Sequence, residues 1–409
     1  MSKKILILTD SIAPPAYAPR VVSLCKYLHS QGWHCTVFSD RLPGVELFGN
    51  NDATWWQTQY YGNKQTISRY IADKIGNQRE REFYNYIVSK VDIASFDCIL
   101  CSSYYYFPLR TTQRLAKKYH IPYMVDLRDI AEQWGNVPYA TTHIPGMSAL
   151  SRIVSKLYET IQLKHRNIVL KDAQAVSTVS SWHQALLKHY NPQSHLIYNG
   201  FDEDEFTPCD ITTSKFRISY TGKIYNTHLR DPRLAFQAVR ELIDENRIDE
   251  SKVEFVFHID QQSQAEVQQV ANEYNIGHLC HISGYIPKTA LLSFMHQSSI
   301  LLVLTCPSTP EGTHGIVGTK FYEALGVEKP VLCVQSDEEC LAEIIGRTQA
   351  GLAATNVSQV KQFLLTKYEE WQRNGFTRQS VLAKEKLLFT RQFESAQFEH
   401  ILLSIIASK

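Results

Sequence analysis

The stretch GTHGIVGTKFYEALGVEKPVLCV, residues 312–334, decides how the rest of the chain is read. Gly312, Gly315 and Gly318 open it as a flexible loop. Lys320 and Glu323 follow, one helical turn apart on a single face. Small and apolar residues around them mark a helix, and PVLCV reads as a short buried strand. A glycine-rich loop feeding a helix start offers free backbone N–H groups, which favour an anion. Lys320 adds a point charge toward a phosphate. Glu323 can accept hydrogen bonds from a vicinal diol such as a ribose, each worth roughly 1.5–3 kcal/mol. Phosphate followed by sugar indicates a nucleotide. The competing reading is a surface ion pair between Lys320 and Glu323, worth about 0.3 kcal/mol. GIVGTK lacks the spacing of a Walker A loop.

Upstream, strand-length apolar runs alternate with helical patterns. Lys3 to Thr9 reads as a strand, Val21 to Gln31 as a helix and Cys35 to Ser39 as a second strand. FDCILCSS, a helix near Thr111 to Tyr119, PYMVDLRD, AQAVSTVS and HLIYNGFD continue the rhythm. It restarts with FRISYTGK, a helix from Pro232 to Glu245, VEFVFHID, a helix from Gln264 to Tyr274, HLCHISGYI and SILLVLTCP. This βαβ alternation implies α/β architecture with parallel, doubly wound sheets. We expect two Rossmann-like domains, 1–205 and 206–389, facing across a cleft. The polar joint FDEDEFTPCDITTS (201–214) connects them, and a final helix within about 390–409 packs back on the first. In such sheets ligands bind beyond the carboxyl ends of the strands, so residues just after strands are the site candidates.

Bulk properties narrow the function. The 409 residues include 42 Lys and Arg against 41 Asp and Glu, a net charge of +1, with no basic surplus for nucleic acid. Nine cysteines, an odd number with several inside apolar runs, read as reduced thiols of a cytoplasmic protein. Cys98 and Cys101 form a CxxC, but they flank Ile99 and Leu100 in a buried strand, so core packing is expected. MSKKILILTD is not expected to act as a secretory signal, and no apolar run approaches the ~18 residues of a membrane span. HExxH, zinc-spaced Cys/His and GxSxG patterns are absent from the sequence.

Taken with its Lys-x-x-Glu and the following KPVLCV strand, the opening stretch resembles the donor-site helix of retaining GT-B glycosyltransferases, especially family 4. TVSSWHQALLKHY and HLIYNGFDEDEF resemble the end of that family's first domain. RISYTGKIYNTHLRDPRLAFQAV is similar to its diphosphate-gripping loop, HISGYIPKTALLSFMHQSSILL to its base-binding turn, and MVDLRDIAEQW to a segment of some first domains. The resemblance covers nearly the whole chain. It implies GT-B architecture and transfer of a sugar from a nucleoside-diphosphate donor to a hydroxyl of a glycan or glycolipid. It also implies residue roles. Glu323 would bind ribose hydroxyls. Gly222 and Lys223 would grip the diphosphate, with Arg230 as a second cation. Backbone at Tyr285 and Ile286 would hold the base edge. Gly315, Ile316, Val317, Gly318 and Thr319 would meet the distal phosphate and sugar, beside Lys320. Lys223 and Arg230 would stabilise the leaving group, in place of a metal.

Two departures stand out. Gly315 occupies a position where the family often has a glutamate, with Glu311 nearby. His258 stands at a strand end where glycines are usual, and reads either as a donor contact or as a satisfied structural histidine. A nucleotide-sugar 2-epimerase and a non-catalytic binding protein are the alternatives on the same scaffold.

The first half should hold the acceptor. Tyr17 and Arg20 follow the first strand, and Arg20 would pair with an acceptor phosphate or cap locally. Arg128 and Asp129 follow another strand. Asp129 could orient an acceptor hydroxyl or take its proton, and the competing reading is an Arg–Asp structural pair. Leu150, Ile153, Val154, Leu157 and Ile161 repeat at helical spacing among Lys156, Lys164, His165, Arg166 and Lys171. That helix would either pack on the first sheet, the favoured reading, or rest on anionic lipid at the inner face of the cell membrane.

Overall fold

The computed structural model describes residues 3–10, 19–41, 57–62, 77–135, 148–224, 227 and 229–408. The chain divides into two compact units: residues 1–199 with 391–409, and residues 200–390.

In the first unit the elements run Lys4–Thr9 (β1), Pro19–Ser30 (α1), His34–Arg41 (β2), Gln57–Gly62 (β3), Gln78–Lys90 (α2), Cys98–Ser103 (β4), Leu109–Tyr119 (α3), Tyr123–Leu127 (β5), Ser148–Asp172 (α4), Ala175–Thr178 (β6), Ser181–Leu187 (α5) and Ser194–Leu196 (β7). The seven strands lie in the order β3-β2-β1-β4-β5-β6-β7, and every pairing is parallel. β4 is buried along its whole length, which a sheet covered on both faces requires. Cys98 and Cys101 accordingly sit in the core on opposite faces, and burial raises both thiols.

The second unit runs Phe216–Gly222 (β8), Arg233–Asp244 (α6), Val253–Ile259 (β9), Gln261–Glu273 (α7), Cys280–Ser283 (β10), Lys288–His296 (α8), Ile300–Leu304 (β11), Thr319–Gly326 (α9), Val331–Val334 (β12), Cys340–Thr348 (α10), Gly351–Ala353 (β13), Val357–Asn374 (α11) and Ala383–Leu387 (α12). Its six strands are again all parallel, in the order β10-β9-β8-β11-β12-β13. In both sheets the order reverses beside the first strand, at β1/β4 and at β8/β11. Such switch points leave a crevice at the strand carboxyl ends.

The last helix, Arg391–Ala407 (α13), belongs to the first unit and packs Phe398, Ile401, Leu402 and Ile405 into the core beneath α1. A buried charge cluster closes this packing. Arg20 donates to both oxygens of Asp126 at 3.0 and 3.1 Å, to Glu394 at 2.6 Å, and to the carbonyls of Ile197 and Tyr198 at 2.9 and 3.0 Å. Ser102, Ser177 and Arg391 complete the two carboxylates. Burial works against the Arg20 charge, but Asp126 and Glu394 outweigh it and hold its pKa above the ordinary value. The expectation that Arg20 binds an acceptor is therefore corrected. The residue is 2% exposed, and its guanidinium is spent on the protein itself.

Helix α4 does pack into the core of the first unit, through Val169 and Leu170, but not by the face that its apolar spacing marks. Ile153, Leu157 and Ile161 are exposed, while Ser155, Gln162, Arg166, Val169 and Leu170 are buried. On the inward face Arg166 is held by two hydrogen bonds to Glu132, at 2.6 and 2.7 Å. The side chains of Leu150 and Val154 lie outside the described residues.

Candidate functional site

In the second unit, the switch point brings together most of the residues expected to hold a donor. β8 ends at Gly222, whose φ of 128° suits glycine alone. The Lys320 side chain from α9 passes directly over it, so that a β-carbon at Gly222 would stand 2.1 Å from Lys320 Cε. Burial pulls the Lys320 pKa down, Glu323 draws it back up, and Arg230 presses it down again. Arg230, in the loop after β8, donates from Nη1 to the Leu304 carbonyl at the end of β11, at 2.8 Å. Lys223 is exposed beside them, and its carbonyl accepts from the Tyr220 hydroxyl at 3.1 Å. Gly222, Arg230, Lys320 and Glu323 thus form one constellation, and Lys223 adjoins it.

The local sequence explains this placement. Phe321, Tyr322 and Leu325 are buried, which fixes the roll of α9. Gly326 lets the helix approach closely, since a β-carbon there would meet Phe201 and Phe206 at 2.8 Å. The loop after β8 is pinned by α7. Asp260 accepts from the Ile224 N–H at 3.1 Å, and Glu266 accepts from the Thr227 N–H and hydroxyl at 2.9 and 2.6 Å. Residues 225, 226 and 228 of that loop lie outside the described residues.

The loop before α9 behaves unevenly. Gly315 is buried with φ of 66°, which a glycine accommodates. Gly318 has extended backbone at the helix start, and a β-carbon there would meet nothing within 4 Å among the described residues. Val317 is buried, Ile316 half-buried and Thr319 exposed. A cavity of about 10 Å³, room for one water, lies against Thr305, Cys306, His314, Gly315, Ile316 and Asp337. Glu311 is exposed on this loop and does not line that cavity. The carboxylate that lines it is Asp337, and Glu339 nearby pairs with the lining residue His314 through Nδ1 at 2.9 Å. Sequence reasoning missed this pair, because Glu339 comes from the loop after the next strand.

Tyr285 and Ile286 follow β10. Tyr285 is 61% exposed and Ile286 half-buried. His258, at the end of β9, holds their turn through Nδ1, which lies 3.1 Å from the Gly284 carbonyl and 2.8 Å from the Ser283 hydroxyl. Its ring meets Phe294 edge-on at 4.8 Å. Of the two expected readings of His258, these contacts support the structurally satisfied one, and the turn it holds leads into Tyr285 and Ile286.

In the first unit, Asp10, Tyr104 and Arg128 gather at the switch point. Asp10 accepts from the Tyr104 N–H at 2.9 Å and pairs with Arg128. The Arg128 guanidinium lies 3.9 Å from the Tyr104 ring centre. It is 7% exposed, and its Nε and Nη1 have no hydrogen-bond partner among the described residues. The ion-pair partner of Arg128 is Asp10 and not its neighbour, which corrects the Arg–Asp pair reading. The strand-end rule applied to ILILTD would have found Asp10. Asp129 is half-buried and accepts from Gln133 Nε2 at 3.1 Å. Burial lifts its carboxyl to about 6, against the lowering influence of Gln133 and Arg128. Tyr17 lies outside the described residues. Among the described residues, no group of three or more His, Cys, Asp or Glu is placed to hold a metal. No helix there is long and apolar enough to cross a membrane.

No family model and no curated protein matches the sequence. Solved structures do match the fold. HepE from Anabaena, in complex with UDP and glucose, aligns with a TM-score of 0.66 at 13% identity over 98% of this chain and 100% of its own. A sucrose-phosphate synthase from Thermosynechococcus elongatus gives 0.65 at 14% identity, over 100% of both chains. A glycosyltransferase from Rickettsia africae gives 0.62 at 14% identity, again over 100% of both. The chain therefore has the GT-B fold of two Rossmann-like domains.

Proposed function

We propose that this protein is a retaining glycosyltransferase. It moves a sugar from a nucleoside-diphosphate donor to a hydroxyl of a glycan or glycolipid acceptor. The observation that carries this reading is the Lys320 side chain laid over Gly222, with Arg230 anchored on the Leu304 carbonyl and Glu323 one turn along α9. Cations at a sheet switch point, with a carboxylate beyond them, match the charge order of a nucleoside diphosphate. Support also comes from the fold, shared with solved structures that hold UDP and glucose or are named glycosyltransferases.

In this reading Lys320, Arg230 and Lys223 stabilise the negative charge that develops on the departing diphosphate. Glu323 accepts hydrogen bonds from the ribose. The turn at Tyr285 and Ile286 receives the base, and Gly315 to Thr319 meet the distal phosphate and sugar. With retention, the departing phosphate takes the acceptor proton, and Arg128 and Asp129 orient the acceptor. The protein works in the cytoplasm without a bound metal.

The test is thermal stabilisation of the purified chain by UDP, GDP, ADP and TDP, with Glu323→Ala alongside. A ligand at 100 times its Kd adds about 2.7 kcal/mol. One nucleotide is expected to stabilise the wild type, and the variant should lose about 2–4 kcal/mol of that binding. Equal binding by Glu323→Ala would remove the ribose assignment. No stabilisation by any of the four would remove the donor site.

A further inference from the structure

Helix α4 carries a face that the proposed reaction does not use. Ile153, Leu157, Ile161 and Ile168 are 66%, 61%, 45% and 48% exposed, four of the largest apolar exposures among the described residues. At about 100° per residue they fall within an arc of roughly 80°. Lys164 and Lys171 lie inside the same arc and Lys156 about 60° outside it, all three exposed. The buried residues Ser155, Gln162, Arg166 and Val169 lie on the opposite side. The roll of the helix is locked there by Arg166 on Glu132, and by the Tyr123 hydroxyl on the Val169 carbonyl at 2.7 Å. The apolar stripe faces outward because the core holds it so.

Charge identifies what would cover it. Between Ile153 and Asp172 the helix has two carboxylates. Glu159 is on the far flank, and Asp172 is paired with Lys117 at 2.5 Å. The stripe therefore presents apolar side chains and ammonium groups together. A second copy placed by two-fold symmetry would set these lysines against their own counterparts. An anionic bilayer satisfies both parts at once, with aliphatic side chains at the acyl boundary and lysines at the phosphates. Ile153 to Ile168 extends about 22 Å along the helix, enough for in-plane contact. An open depression of about 620 Å³ adjoins it, lined by Lys164, Ile168, Lys171, His189 and Tyr190, where a head group can sit.

We infer that the exposed face of α4 is a docking surface for an anionic lipid bilayer. The inference stands independently of the transferase reading, and its test uses no nucleotide. The full chain is sedimented with vesicles of phosphatidylcholine alone and of phosphatidylcholine mixed with phosphatidylglycerol, at low and high salt. Binding to the mixed vesicles is expected, weakened by salt, with little to the neutral ones. Lys164→Gln and Lys171→Gln should each weaken it roughly fivefold. Leu157→Ser with Ile161→Ser should weaken it more than tenfold while leaving the thermal melting point unchanged, since both residues are exposed. Equal binding to both vesicle types, or binding unaffected by the serine variants, would overturn the proposal. So would a dimer of the wild type that the serine variants break, since this would assign the face to a second copy.

Discussion

The Lys320 side chain occupies the space that a β-carbon on Gly222 would need, 2.1 Å from its Cε. The end of one strand and the start of a helix almost a hundred residues later are thus fitted to each other atom by atom. Gly222→Ala should have two effects. A side chain at φ 128° costs about 1–3 kcal/mol of stability. Lys320 must also swing away, so nucleotide affinity should fall by about 1.5–3 kcal/mol, the value of a charged hydrogen bond. Melting curves with and without nucleotide separate the two. Unchanged affinity would mean that Lys320 is not a phosphate ligand.

Asp129 predicts a pH dependence. Its carboxyl stands at about 6 in the folded chain, above the ordinary value of about 3.9. The folded state therefore holds a proton that the unfolded state has lost between about pH 4 and 6, and stability falls as pH rises through that window. Asp129→Asn should remove this slope and stabilise the protein at pH 7 by about 1–2 kcal/mol. If the ionised carboxylate orients the acceptor, wild-type kcat/KM should decline below about pH 6. Rates measured from pH 5 to 8 check this, and an unchanged profile in the variant would dismiss Asp129 from the reaction.

Arg20→Ala leaves Asp126 and Glu394 as buried carboxylates without their main cation. Breaking one partner of a buried pair typically costs about 3–5 kcal/mol. The expected result is a large drop in denaturant midpoint with nucleotide stabilisation retained in whatever remains folded. A stable Arg20→Ala protein with weakened acceptor binding alone would restore the acceptor role.

His258→Ala removes the ring that holds Gly284 and Ser283. The turn at Tyr285 and Ile286 should loosen, costing about 0.5–1.5 kcal/mol of nucleotide binding, the worth of a neutral hydrogen bond. Titration with UDP and GDP should show the preference between bases narrowing. Preserved discrimination would separate His258 from base recognition.

How much of this was readable beforehand depended on where each residue finds its partners. Ile300–Leu304 is buried throughout, so its apolar run is unbroken and plain in sequence. Gly351–Ala353 is a three-residue edge strand, and Gln57–Gly62 is a polar one, and neither leaves such a run. Lys320 and Glu323 were visible because their spacing is local. The fate of Arg20 was not, since its carboxylates lie 106 and 374 positions away. The packing of α4 was legible but its inward face was not, for a related reason: that face includes Arg166, a charged residue that is buried, against the usual sense of the pattern.

The return of α13 to the first unit has a consequence for synthesis. Residues 200–390 form a unit of their own, inserted into the other, and their ends are already tied. Phe201 N–H donates to the Phe389 carbonyl at 2.9 Å, and Phe201 bridges Thr390. As the ribosome delivers the chain, this inner unit can complete its sheet while the outer one still lacks Glu394 and the apolar side of α13. The part that begins first must finish last. Until it does, Arg20 waits beside Asp126 with half of its counter-charge still unmade.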